Sequence, residues 1–191
     1  LKKGKMASFT SSLSPDSDAF ALFVDERYGY KDKKGVLSKN LVEKINSFIG
    51  VLKAKKKDNE INFFDISNKQ KCFVVKVKSK YKSFFPQESG ASFFSHLKKI
   101  KDLNKIDLYI DSLDFDKEKL VNFFSEFCLG FNLKSYSFNK YKTADKEKIN
   151  KKINFQIITS YKDQLQKKYK YFDSIKEGVF LTRDLVSEPP N

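Results

Sequence analysis

The sequence predicts an α/β fold: a mixed sheet of about six strands with helices packed on its faces. Three observations carry this. The chain has 191 residues, which suits one α/β domain and is short for two. Hydrophobic residues make up 40% of it, with 20 Phe and 9 Tyr, enough to bury a core. Short apolar runs alternate with stretches of helical periodicity, the pattern of strands connected by helices.

Lys5 to Thr10 reads as a weak first strand. After a polar loop containing Pro15, the unbroken apolar run Ala19 to Val24 reads as a buried strand. Ser38 is placed to cap a helix that carries Leu41, Ile45, Phe48 and Ile49 on one face. Lys53 to Asn59 reads as a basic loop. Ile61 to Ile66 and Cys72 to Val77 read as two strands joined by a turn at Ser67 to Gln70, the second setting Lys76 and Lys78 outward.

Phe84-Phe85-Pro86 is expected to break the chain. A helix over Ser89 to Lys101 then turns Phe93, Phe94, Leu97 and Ile100 inward. Ile106 to Ile110 reads as a strand. Asp114 or Asp116 is expected to cap a helix bearing Leu120, Phe123, Phe124, Phe127 and Phe131. Ile153 to Ile158 supplies a further strand. A long helix from Asp163 to Val186 carries Leu165, Tyr169, Phe172, Ile175, Val179 and Leu185, and Pro189-Pro190 is expected to stop it.

The net charge is +14, which raises the question of an anionic partner. Only Arg27 and Arg183 among the 38 basic residues are arginine. Readers of bases and phosphates depend on the planar, bidentate guanidinium, so the excess is read as a solvated lysine surface. Nonspecific attraction to nucleic acid at low salt is still expected.

The inventory for chemistry is thin. A Cys–His pairing would have to use His96, the single histidine, which lies in a helical apolar pattern. Cys72 and Cys128 each sit in an apolar run and read as small buried hydrophobes in a reducing compartment. Asp107, Asp111, Asp114, Asp116 and Glu118 lack the Gly turn and closing Glu of a calcium loop. They read as a strand end and a helix cap, and Asp25-Glu26-Arg27 as another strand end. The seven glycines form no GxG cradle, which argues against a nucleotide or ADP-ribose site. No signal peptide or membrane span is expected, since no apolar run approaches the roughly 18 residues needed. Catalytic, cofactor-binding and metal residues are all expected to be absent, and the location cytoplasmic.

Two segments carry a resemblance. Glu177 to Asn191, with Arg183-Asp184-Leu185 and then Pro189-Pro190-Asn191, resembles the segment joining the two domains of leucyl aminopeptidases. That family usually has Asn where Ser187 stands here. Upstream, Gly130, then Tyr136-Ser137-Phe138, then Tyr141-Lys142-Thr143 resembles the family's stretch after the long helix of its amino domain.

The resemblance implies a macro-like amino-terminal domain over 1–160, and a terminal helix and interdomain linker over 161–191. A carboxyl-terminal peptidase domain would follow. It implies that this domain supports a homohexameric, metal-dependent enzyme that removes amino-terminal residues from peptides. Two divalent metals, manganese or zinc, and the peptide substrate would belong to the peptidase domain. Some relatives bind DNA, so a stand-alone lysine-rich nucleic-acid-binding module is the alternative.

Overall fold

The computed structural model describes residues 7–55, 59–138 and 152–188. The described chain divides into two compact units. The first comprises Leu1–Tyr81, Asp102–Asp116 and Asn154–Lys162, and the second Lys82–Lys101, Lys117–Ile153 and Asp163–Asn191.

The first unit holds a six-stranded mixed sheet. Its strands are β1 (Ala7–Thr10), β2 (Ala19–Val24), β3 (Ile61–Asp65), β4 (Lys71–Lys76), β5 (Lys105–Tyr109) and β6 (Asn154–Ile158), in the order β1-β6-β5-β2-β4-β3. Every neighbouring pair is parallel except β3 with β4. β2 sits inside the sheet, with Phe20 opposite Cys72 on one side and Asp107 on the other. All six of its residues are buried, which explains its unbroken apolar run.

Helix α1 (Lys39–Ala54) covers part of this sheet. Ser38 caps it as expected, its hydroxyl accepting from the Leu41 amide at 3.3 Å. Ile45, Ile49 and Leu52 are buried in one cluster with Phe20, Leu22, Val24, Val74 and Tyr109. Leu41 and Phe48 pack at the edge of that cluster, so the face read from the sequence is the face used.

β5 ends one residue earlier than its apolar run. Ile110–Ser112 instead forms a single 3-10 turn, and the Ser112 hydroxyl takes over the pairing. It accepts from the Phe23 amide at 2.9 Å and lies 2.6 Å from the Tyr109 carbonyl. A side chain thereby satisfies a buried β2 amide where the neighbouring strand turns away.

In the second unit α2 spans Phe85–Lys98, α3 Lys117–Ser135, and α4 Lys162–Ser187. Its interior is aromatic: Phe93, Phe94, Phe123, Phe124, Phe127 and Phe131 are all buried. Phe94 meets Phe131 edge-on at 5.1 Å, and Phe123 meets Phe124 the same way at 5.1 Å. α2 and α3 approach closely enough that a Cβ on Gly90 would lie 2.0 Å from the Phe127 carbonyl oxygen. One on Gly130 would lie 1.9 Å from that of Gln87.

Several expectations are corrected. Pro86 does not break the chain. It stands in the first turn of α2, where a missing N–H costs nothing, so the helix begins four residues before Ser89 and ends before Ile100. β4 buries Cys72 to Val75 in succession, because it is an inner strand between β2 and β3, while Lys76 and Lys78 are turned outward around buried Val77 as expected. The loop expected from Lys53 is helical through Ala54, while residues 56–58 lie outside the described residues. Lys5 in the first strand and Pro189-Pro190 lie outside them as well.

Candidate functional site

A crevice in the sheet unit that collects charged side chains lies at the carboxyl ends of β2, β4 and β5. It measures about 520 Å³ and is lined by Asp25, Glu26, Arg27, Ser79, Leu113, Asp114 and Phe115. The chain leaves β2 towards α1 and β4, and leaves β5 towards β6 on the other side, so the two loops diverge here. Open α/β sheets commonly place ligands at such points.

The carboxylates of this crevice are committed to neighbouring groups of the same unit. Asp25 Oδ1 accepts from the Arg27 amide at 2.8 Å and the Gly29 amide at 2.7 Å. These bonds close a tight turn in which Tyr28 adopts a φ of 63°. The Lys76 ammonium lies 4.4 Å from the Tyr28 ring centroid and helps to hold it there. Glu26 accepts from both the Ser79 amide at 2.6 Å and its hydroxyl at 2.8 Å. Asp114 pairs with Lys31 at 2.5 Å, and this ammonium holds its carboxyl below the usual carboxylate range. Nothing here couples a nucleophile to a base and an orienting third group, so the geometry braces loops.

Asp107 and Asp111 are likewise occupied, and the remaining acidic residues of this stretch do not converge with them. Asp107 is fully buried and accepts from the Ser14 amide at 2.6 Å and the Ser17 hydroxyl at 2.5 Å, which pins the β1–β2 loop to β5. Burial raises its carboxyl above the usual range, partly opposed by those hydrogen bonds. Asp111 accepts from the Thr159 hydroxyl at 2.7 Å, and from the Ser160 amide and hydroxyl at 2.7 and 2.5 Å. Asp116 and Glu118 are exposed around the start of α3. No three His, Cys, Asp or Glu side chains among the described residues are grouped to hold a metal. The described residues therefore do not form a dinuclear metal set of the kind that a two-metal hydrolase needs.

His96 lies in the last turn of α2, exposed, with Nδ1 2.9 Å from the Ser92 carbonyl oxygen. Cys72 and Cys128 are buried thiols, and burial pushes both well up from the usual value. A thiol that stays protonated is a poor nucleophile.

What the structure does bring together is the pair of segments that carry the family resemblance. The Arg183 guanidinium donates to the Leu133 carbonyl at 2.9 Å and lies 5.4 Å from the Tyr136 ring centroid. The Tyr136 hydroxyl donates to Asp184 at 2.7 Å, and its ring meets Phe180 at 5.1 Å. Loss of solvent and the adjacent Asp184 carboxylate raise the Tyr136 phenol from its ordinary value. The Tyr and the Arg-Asp pair, 47 and 48 positions apart in the chain, thus form one joint between the end of α3 and the end of α4. Sequence reading singled out both segments and missed that they touch. The remainder of each motif, Tyr141 to Thr143 and Pro189 to Asn191, lies outside the described residues.

No family model matches the chain. A probable cytosol aminopeptidase of Rhizobium etli is 35% identical over 96 residues, 49% of this chain and 19% of the relative. One from Agrobacterium fabrum is 35% identical over 106 residues, 54% of this chain and 20% of the relative. A mutant of tomato leucine aminopeptidase superposes with a TM-score of 0.69 at 17% identity, covering 97% of this chain and 39% of that one. The sequence matches thus span about a fifth of the length of these curated relatives. The structural match shares the α/β fold with its six-stranded mixed sheet. Among the described residues, no helix is long and apolar enough to cross a membrane. Over about half of its length this chain is similar in sequence to proteins named probable cytosol aminopeptidase, and its fold is similar to that of a leucine aminopeptidase.

Proposed function

We propose that this chain is the non-catalytic domain of a metal-dependent leucyl aminopeptidase, and that it serves the architecture and assembly of that enzyme. The observation that carries the reading is the mismatch of extents. The tomato enzyme's fold covers 97% of this chain while using 39% of its own. Peptide hydrolysis, the two divalent metals and the substrate pocket then belong to polypeptide beyond the matched part. The macro-like description of the domain, the homohexamer and a cytoplasmic location belong to the same proposal.

The chemistry of the described residues supports this division. A dinuclear hydrolase needs several carboxylates free to bind metal and polarise the substrate carbonyl. Here Asp25, Glu26, Asp107, Asp111 and Asp114 are tied to amides, hydroxyls or a lysine of their own scaffold.

The test is an aminopeptidase assay with added manganese or zinc, on this chain and on a product extended by a peptidase domain. The 191-residue chain is expected to release no leucine above the buffer rate, and the extended product to turn over and lose activity to a chelator. Turnover by the short chain, with a metal pair bound to it, would overturn the division.

A second reading rests on the +14 charge: a nucleic-acid-binding module. With lysine supplying all but two of the basic residues, binding is expected to be nonspecific and steeply salt-dependent. A gel shift seen at low salt should vanish by about 150 mM. Sequence-selective binding that survives that salt would favour the module.

A further inference from the structure

β3 is the outer strand of the sheet on the β4 side, and its edge is regular. It pairs with β4 residue for residue, from Ile61 opposite Val75 to Asp65 opposite Lys71, without a bulge. The Lys76 amide donates to the Glu60 carbonyl at 2.7 Å, and the Ile66 amide to that of Gln70 at 2.9 Å. These two bonds set the alternation of the ladder. Asn62 and Phe64 turn their main-chain groups towards β4, while Ile61, Phe63 and Asp65 turn theirs outward. Among the described residues, no strand lies beyond them.

Natural sheet edges are commonly blunted by a lysine, a proline or a bulge. The centre of β3, Asn62-Phe63-Phe64, has none of these. Phe63 is 49% exposed on one face, its ring 5.4 Å from that of Phe73. On the other face Phe64 meets Phe48 of α1 at 4.7 Å. There a depression of about 470 Å³ opens beside the edge, lined by Asn40, Glu43, Lys44, Ser47, Phe64 and Asp65.

We propose that this edge receives an extended segment of another protein, which adds a strand with apolar side chains over Phe63 and uncharged polar side chains towards α1. Main-chain donors and acceptors that recur at every second residue are matched by an extended backbone and by little else. The partner residue opposite Phe63 lies on the same face and meets its exposed ring, which suits an aliphatic or aromatic side chain. Its two neighbours point to the other face, into the depression.

Charge decides what those neighbours are. The rim of the depression is balanced: Glu43 stands beside Lys44, and Asp65 pairs with Lys71. A charged side chain of either sign gains no net attraction there and loses its hydration, whereas Asn40 and Ser47 offer hydrogen bonds to a hydroxyl or an amide. A second copy of this chain is the poorer occupant, since it brings a net charge of +14 against another of +14. The inference concerns the sheet edge and stands apart from the peptidase reading.

The test titrates the isotope-labelled 191-residue chain with a short capped peptide in which valine and threonine alternate, at physiological ionic strength. Amide shifts are expected to saturate at Ile61, Phe63 and Asp65. Such a peptide has two edges, of which one bonds to β3. Methylating its nitrogens along that edge should weaken binding roughly tenfold or more, and along the other edge should leave it unchanged. Phe63→Ala, at a half-exposed position, should weaken binding about fivefold with the fold intact. The proposal fails if no shifts saturate, if they fall away from β3 and α1, or if methylation of either edge acts equally. It also fails if lysine or glutamate in place of threonine tightens binding at these amides. Shifts there that grow with protein concentration alone would put a second copy on the edge, and would overturn it too.

Discussion

Gly130→Ala is expected to destabilise the second unit by about 3 kcal/mol or more, although alanine is the better helix former. The reason is steric. The added Cβ would sit 1.9 Å from the backbone oxygen of Gln87, and a backbone atom inside a helix cannot swing aside as a side chain can. α2 and α3 would have to separate, opening gaps around Phe93, Phe127 and Phe131, which meet at centroid distances of 5.9 and 6.4 Å. Gly90→Ala should act alike, its Cβ falling 2.0 Å from the Phe127 oxygen. The double variant should cost less than the sum, since one separation of the helices relieves both clashes. Gly50→Ala provides the opposite sign: nothing lies within 4 Å, so it should stabilise α1 by about 0.5–1 kcal/mol. Urea unfolding followed by circular dichroism measures all four. A neutral Gly130→Ala would mean that the two helices do not pack as closely as described.

Phe20→Ala should cost about 3–5 kcal/mol in the first unit. Phe20 is 1% exposed, lies between β4 and β5, and belongs to the cluster that buries Ile45, Ile49 and Leu52 of α1. Its strand is hydrogen-bonded on both sides and has little freedom to collapse into the space left behind. Phe20→Leu keeps most of the volume and should lose only about 1 kcal/mol. The same unfolding experiment checks this. Equal losses for leucine and alanine would show that the ring, rather than the filled volume, is what the site requires.

These two substitutions differ in how far they can be foreseen. Phe20 stands in Ala19 to Val24, an apolar run that reads as a buried strand without any structure. The α1 face and its Ser38 cap are legible for the same reason, since period and capping are local properties. Gly130 reads only as a weak helix former. That its missing Cβ faces the Gln87 backbone depends on how two helices cross, and no local window contains that. Pro86 misleads locally, because a proline that would break a helix interior is harmless in its first turn.

The candidate site shows the same division. The scarcity of His, Cys and Arg narrows the chemistry before any fold is known, because an absent side chain cannot be supplied by folding. The fate of the carboxylates is another matter. Asp107 and Asp111 look alike in the sequence, yet one is buried against the β1–β2 loop and the other clasps Thr159 and Ser160. Their partners lie 48 to 93 positions away.

By itself, then, the sequence determined the order of the elements and the core faces of β2 and α1, and it carried the two segments that resemble leucyl aminopeptidases. Hydrophobic period and turn chemistry act over a few residues and leave a direct record there. Tertiary structure alone decided that Tyr136 meets Arg183 and Asp184, that α2 and α3 touch through glycine, and that Lys176 of α4 is buried. Those outcomes depend on which distant groups the completed fold holds within a few ångströms, where hydrogen bonding, desolvation and steric exclusion take effect.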